Sequence, residues 1–157
     1  KPKTELEKLP PATQEGKDTF GCLLNGKAWR TTSSTYTTSD YQMGSLQISG
    51  VINEPKLQNL GMNLRDGVGG ETLTIGAYSL VAPSPHNPMA RFYDPSTCTY
   101  GGFGNQSEQI SGELIITKFD KVNFIISGTF HFTLVKAGCD PDTIKVTDGR
   151  FDINYAS

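Results

Sequence analysis

The sequence predicts an all-β fold, an antiparallel β-sandwich or barrel-like sandwich of about 8–11 strands with little helix. Three observations lead there. Apolar and polar residues alternate with period two in run after run, as in strands with one face on a core and the other in water. Asn-Gly, Asp-Gly and other glycine-bearing turn signals separate the runs. No window carries an apolar stripe of helical period over three turns. The 157 residues suit one domain, and a domain of this size buries roughly 68–70% of its unfolded surface, so it needs neither metal nor disulfide to fold.

Residues 1–18 stand apart. Eight of the eighteen are charged, four of each sign, and none is aromatic. Leu6 and Leu9 are too few to anchor a helix, and Pro10-Pro11 would end one. The segment reads as a flexible, solvated tether, leaving residues 19–157 as a single β domain. The chain opens on Lys1 without a Met, which reads as a processed or trimmed terminus.

The elements follow in order. Thr19–Leu24, Asn25-Gly26 and Lys27-Ala28-Trp29 read as a tight hairpin. Leu46, Ile48 and Gly50 alternate with polar residues, as do Leu60, Met62 and Leu64, and Asp66–Gly70 closes that second run. Leu73–Leu80 gives a further strand, and Met89–Tyr93 and the Tyr100 region another pair. Ile110, Gly112, Leu114 and Ile116 form the next inward set, with a hairpin expected at Asp120-Lys121. The clearest run is 122–135, where Val122, Phe124, Ile126, Gly128, Phe130, Phe132 and Leu134 share one parity and Gly128 marks a bend or bulge. The last run changes phase at Asp148-Gly149: Ile144 and Val146 are even, Phe151, Ile153 and Tyr155 odd. A bulge or a two-residue hairpin explains the change, and the long neighbouring strand favours a bulge.

The candidate chemistry is sparse. Fourteen Lys and Arg against sixteen Asp and Glu give a net charge of −2, which argues against a nucleic-acid partner held by phosphate neutralisation. No apolar run approaches the ~18 residues of a membrane span. His86, in a proline-rich loop, and His131, on the polar face of the long strand, read as surface residues, and no nucleophile is framed as in a hydrolytic triad. Asp140, Asp142, Asp148 and Asp152, and Asp66 with Glu71, do not match a calcium loop, and turns collect Asp for backbone reasons. No metal, no cofactor and no catalytic residue is expected. Cys98 and Cys139 lie in loop-like contexts, whereas Cys22 alternates with Phe20 and Leu24. In an exported protein Cys98 and Cys139 are the expected disulfide and Cys22 a buried thiol; in a reducing compartment all three are thiols.

Aromatic residues are the candidate ligand contacts. Trp29, Tyr36 and Tyr41 flank a Thr/Ser-rich run, and Tyr93 and Tyr100, with Phe92 and Phe103, flank a glycine-rich loop. Core filling accounts for most such rings; Trp29, beside Arg30 after a hairpin turn, is expected to be semi-exposed.

Two segments together carry a resemblance. Leu9-Pro10-Pro11-Ala12-Thr13 with Thr19-Phe20-Gly21-Cys22-Leu23-Leu24-Asn25-Gly26 and Trp29, and Ser127-Gly128-Thr129-Phe130 with Thr147-Asp148-Gly149-Arg150-Phe151-Asp152-Ile153 and Tyr155, resemble a family of small Bacteroidetes cell-envelope lipoproteins of unknown function. The resemblance implies export, an extracytoplasmic location in the periplasm or at the cell surface, and membrane attachment through a lipid anchor not present in this chain. It carries over no catalytic residue. Gly149 fits the bulge or turn, and Arg150 a salt bridge with an acidic neighbour. The expected function is a non-enzymatic, envelope-tethered monomer that binds a glycan or an envelope protein. The alternatives are a carbohydrate-active hydrolase using two carboxylates and a purely structural assembly protein.

Overall fold

A computed structural model of the chain describes residues 1–32, 36–67, 72–81, 83–102 and 104–155, with side chains left out at 36–40 and 106. Its strands are β1 (Thr19–Leu24), β2 (Lys27–Arg30), β3 (Tyr36–Gln42), β4 (Ser45–Ile52), β5 (Gln58–Arg65), β6 (Gly76–Ser79), β7 (Met89–Tyr93), β8 (Thr99–Gly101), β9 (Gln109–Asp120), β10 (Ile125–Val135) and β11 (Thr143–Asn154). They form a six-stranded sheet, β2-β1-β11-β10-β9-β6, and a five-stranded sheet, β3-β4-β5-β7-β8, with every pairing antiparallel. Two single turns of 3-10 helix, Leu6–Lys8 and Gln106–Glu108, are the helical elements among the described residues. None is long and apolar enough to cross a membrane.

The inward parity of each strand supplies the core. Leu46, Ile48, Leu60, Met62 and Leu64 face Phe20, Leu114, Ile116, Phe132 and Phe151, all almost wholly buried. Phe130 joins Phe20 and Phe151 with ring centroids 5.2 and 6.2 Å apart. The Asn25-Gly26 hairpin has positive φ at both central residues, 48° and 84°, which matches the right-handed strand twist. A second turn of this kind, at Met43-Gly44, carries a methionine where asparagine is usual.

β11 is one continuous strand whose phase changes at a bulge, not a hairpin: Phe130 pairs with Gly149, but Phe132 pairs with Val146. A second bulge sets Gly128 opposite Ile116 while Ser127 pairs with Lys118. A third, between Thr133 and Leu134, displaces Ile110 from the expected inward set. Ile110 is 56% exposed, and Gln109 turns inward in its place. The Gln109 side chain accepts from Ala90 N–H and donates to Leu80 O, both at 2.8 Å, which satisfies an amide buried between the sheets. Val122 and Phe124 also leave the expected stripe. The turn runs through them because the Asp120 carboxylate accepts the N–H groups of Val122 and Asn123, each at 2.9 Å. Val122 is therefore 83% exposed.

Part of the expected tether is docked: residues 5–18 run across the outer face of the six-stranded sheet, whereas residues 1–4 are exposed. Glu5 accepts the Ala28 N–H at 2.7 Å, Arg150 donates to Pro10 O at 3.3 Å, and Lys118 donates to Gln14 O at 2.9 Å. Leu9 is buried. Pro10 packs so tightly on Gly21 that a Cβ there would lie 2.9 Å from the proline ring. This cover explains two polar side chains with no exposure on an outer sheet face, Ser127 and Asp152. Asp152 is thus a strand carboxylate rather than a turn residue. It accepts from Thr13 Oγ1, from the N–H groups of Glu15, Gly16 and Lys17, and from Ser127 Oγ.

Cys98 and Cys139 form a disulfide, 41 residues apart in sequence. It joins the β7–β8 turn to the β10–β11 loop and so ties the two sheets together at one end. Cys22 is a buried free thiol, and burial pushes its pKa far up.

Candidate functional site

The aromatic candidates do not converge. Trp29 is 4% exposed rather than semi-exposed, because it caps the core edge-on to Phe20. Its Nε1–H donates to Gln58 Oε1 at 2.9 Å, and Gln58 passes a hydrogen bond to Asp94 at 2.9 Å. Burial would raise the Asp94 pKa, but hydrogen bonds from Ser96, Gln58 and Lys56 hold it well below the usual carboxylate range. One edge of the indole still walls a pocket of about 280 Å³ with Lys27, Arg30, Glu54 and Pro55.

Tyr41 is half-buried. Its hydroxyl donates to the Asp66 carboxylate at 2.9 Å, the Lys121 ammonium lies 5.2 Å from its ring centroid, and burial with the Asp66 contact pushes its pKa up to about 12. Tyr100 is a core residue with no exposure, its hydroxyl spent on Pro141 O at 2.6 Å. The Tyr36 side chain, Phe103 and Glu71 lie outside the described residues. Of the five, Tyr93 presents an open ring, 39% exposed on the outer face of the five-stranded sheet.

Tyr93 stands beside a site that the sequence reading missed. In β7, Ala90 and Phe92 point into the core, so Met89, Arg91 and Tyr93 take the outer face. Pairing then sets Arg91 beside Gly61 and Gly101, and Tyr93 beside Asn59 and Thr99. Gln47, Asn63, Arg91, Thr99 and Asn105 line a depression of about 400 Å³ there, floored by Met89 and the glycines 101 and 102. Arg91 is its one charged lining residue among the described residues. Amide and hydroxyl groups over an apolar floor, beside an exposed ring, can hold a polyhydroxylated ligand by hydrogen bonds and ring contact. The alternation 89–93 reveals which β7 residues face outward. Their meeting with Gln47 and Asn63 depends on strand order.

A second depression, of about 300 Å³, lies on the outer face of the six-stranded sheet, lined by Ala12, Glu113, His131, Asp148 and Arg150 among others. His131 Nε2 lies 4.0 Å from Glu113 Oε1, with both side chains open to water at 57% and 43% exposure. Arg150 donates to the carbonyls of Asp148 and Pro10 and, among the described residues, to no acidic side chain. His86, by contrast, is buried: its Nδ1 lies 2.8 Å from Arg65 O and its ring meets Tyr78 edge-on. Among the described residues, no three His, Cys, Asp or Glu side chains group as a metal centre would require.

A family model described as a domain of unknown function, DUF6252, matches residues 17–152. No curated protein and no solved structure matches the chain.

Proposed function

Since the chain belongs to the DUF6252 family of domains, we propose a role for it from its own surface: a non-enzymatic glycan-binding domain held at the cell envelope, outside the cytoplasm. The observation that carries this reading is the outer face of the five-stranded sheet. There, exposed Tyr93 shares the outward parity of Arg91 and pairs with Thr99, two residues that line a depression together with side-chain amides. A sugar offers a C–H face to an aromatic ring and pairs of hydroxyls to planar amides, so these groups match both of its surfaces. Gln47, Asn63, Arg91, Tyr93 and Thr99 project from paired strands, which lowers the cost of ordering them around a ligand, and Asn105 joins them from the β8–β9 loop.

The extracytoplasmic placement is supported by the Cys98–Cys139 disulfide, a bond that persists in oxidising compartments. It is supported too by the likeness of the two end segments to envelope lipoproteins, in which a lipid anchor precedes the Leu-Pro-Pro-Ala-Thr segment. Hydrolysis is the second reading, because Glu113 and Asp148 line one depression on the opposite face. Its openness to water works against it, since acid–base catalysis gains from a dry, preorganised site.

A glycan array followed by calorimetry tests the proposal. A bound glycan is expected to lose about two- to tenfold in affinity on Tyr93→Ala, a ring contact being worth roughly 0.5–1.5 kcal/mol. The reading fails if no glycan binds, or if release of reducing ends is seen and disappears in Glu113→Gln.

A further inference from the structure

We propose that the depression beside Tyr93 binds a carboxylate through Arg91, so that the glycan it takes carries a uronate-type sugar. The inference rests on the glycan reading above and deepens it. Arg91 does not stand out into water as a surface arginine would. It lies across Gly61: a Cβ at that position would come within 3.1 Å of Nη2 and 3.2 Å of Cζ. Only a residue without a side chain allows the guanidinium to rest on the sheet, and this leaves it half-buried. Burial disfavours its charged form and lowers its pKa.

A half-buried cation has lost part of its hydration and gains from a counter-charge. A guanidinium has five N–H donors, and Arg91 makes one weak hydrogen bond among the described residues, Nη1 to Asn63 Oδ1 at 3.4 Å. No carboxylate among those residues pairs with it. Glu108, the acid whose oxygen reaches the Gly101 N–H at 3.3 Å, is paired with Lys136 at 3.8 Å. The other described lining residues are neutral, and the carboxylate next to the floor, Glu108, has Lys136 as its counter-ion.

The single cation selects among anions. A guanidinium fork matches a planar carboxylate with two parallel hydrogen bonds and cancels its one charge. A phosphate monoester carries more charge and would call for a second cation, which the described lining residues lack. The neighbouring amides Gln47, Asn63 and Asn105 are left to take the hydroxyls of the same sugar.

Calorimetry with an oligogalacturonate and a neutral galactan oligomer of equal length tests this, on the wild type, Arg91→Gln, Arg91→Lys and Tyr93→Ala. Thermal melts confirm that each variant folds. The acidic oligomer is expected to bind at least about tenfold more tightly, a preference that Arg91→Gln removes and Arg91→Lys retains in part, since lysine keeps the charge without the fork. Equal binding of both oligomers, sensitive to Tyr93→Ala but not to Arg91→Gln, overturns the carboxylate and leaves the glycan reading standing. Tighter Arg91-dependent binding of a sulfated galactan overturns carboxylate selectivity. Binding of neither oligomer, with a glycan array also empty, overturns both.

Discussion

Replacing Asp152 by Asn changes one atom and should release the N-terminal segment. In the wild type, Oδ1 accepts from Gly16 N–H and Ser127 Oγ, each at 2.7 Å. Oδ2 accepts from Thr13 Oγ1 and from the N–H groups of Glu15 at 3.0 Å and Lys17 at 3.2 Å. Asparagine keeps one oxygen and presents an NH₂ where the other stood, so at least two of the five donors face another donor. With charge-assisted bonds worth about 1.5–3 kcal/mol each, the loss is at least about 3 kcal/mol. The titration of Asp152 gives a similar figure. Burial raises its pKa, but the bonds from Thr13, Gly16, Ser127 and Glu15 outweigh that and hold it at about 2. Close to two units below the ordinary carboxylate value corresponds to about 2–3 kcal/mol.

At about 2–4 °C per kcal/mol for a domain of this size, the variant should melt about 6–12 °C lower at pH 7. The sign with pH follows from a folded pKa below the unfolded one. The contribution is complete above about pH 4 and is lost as pH falls toward about 2. The gap between wild type and Asp152→Asn should therefore narrow to less than half by pH 2.5. Thermal melts followed by circular dichroism at pH 7 and pH 2.5, with hydrogen exchange at the amides of residues 15–17, measure both effects. A variant melting within 2 °C of the wild type at pH 7 with its tail amides still protected, or a gap unchanged in acid, would refute the reasoning.

Three further outcomes are expected. Replacing both Cys98 and Cys139 by Ser opens a loop closed over a 41-residue separation; denaturant unfolding should show a loss of about 4 kcal/mol by the loop-entropy relation. Gly128→Ala should abolish soluble expression or lower the melting point drastically, because its Cβ would lie 2.1 Å from Ile115 O and 2.8 Å from the Phe151 ring. Cys22 should resist maleimide in the native protein and react once unfolded, because burial holds its thiol protonated and out of reach; native-state labelling would contradict the packing.

Much of the β architecture was legible because a strand's period of two is a property of the chain itself. Leu46 and Ile48, Leu60 to Leu64, and Phe130 to Leu134 needed only their own parity to be assigned to a core. The misplaced residues share one cause. Ile110, Val122 and Phe124 have the right parity, but bulges and a carboxylate-capped turn shift the phase locally. His86 reads as a surface residue and Trp29 as semi-exposed because the Arg65 carbonyl and the Gln58 amide that receive them are distant in sequence. The tail has the composition of a solvated segment. Its contacts rest on backbone N–H and C=O groups as much as on side chains such as Glu5 and Thr13, and their partners on β1, β2, β9 and β11 are distant in sequence, which composition does not reveal.

The candidate site divides in the same way. The sequence by itself determined that Arg91 and Tyr93 share the outward parity of β7, since successive side chains must alternate across a pleated strand. Tertiary structure alone decided that Gly61 lies beside Arg91, that Gln47 and Asn63 border the same depression, and that Tyr100 and Trp29 are buried. Alternation is fixed by the covalent geometry of one strand. Strand order and register are fixed by which strands bury their apolar faces together, and that choice is settled only when the two sheets close on each other.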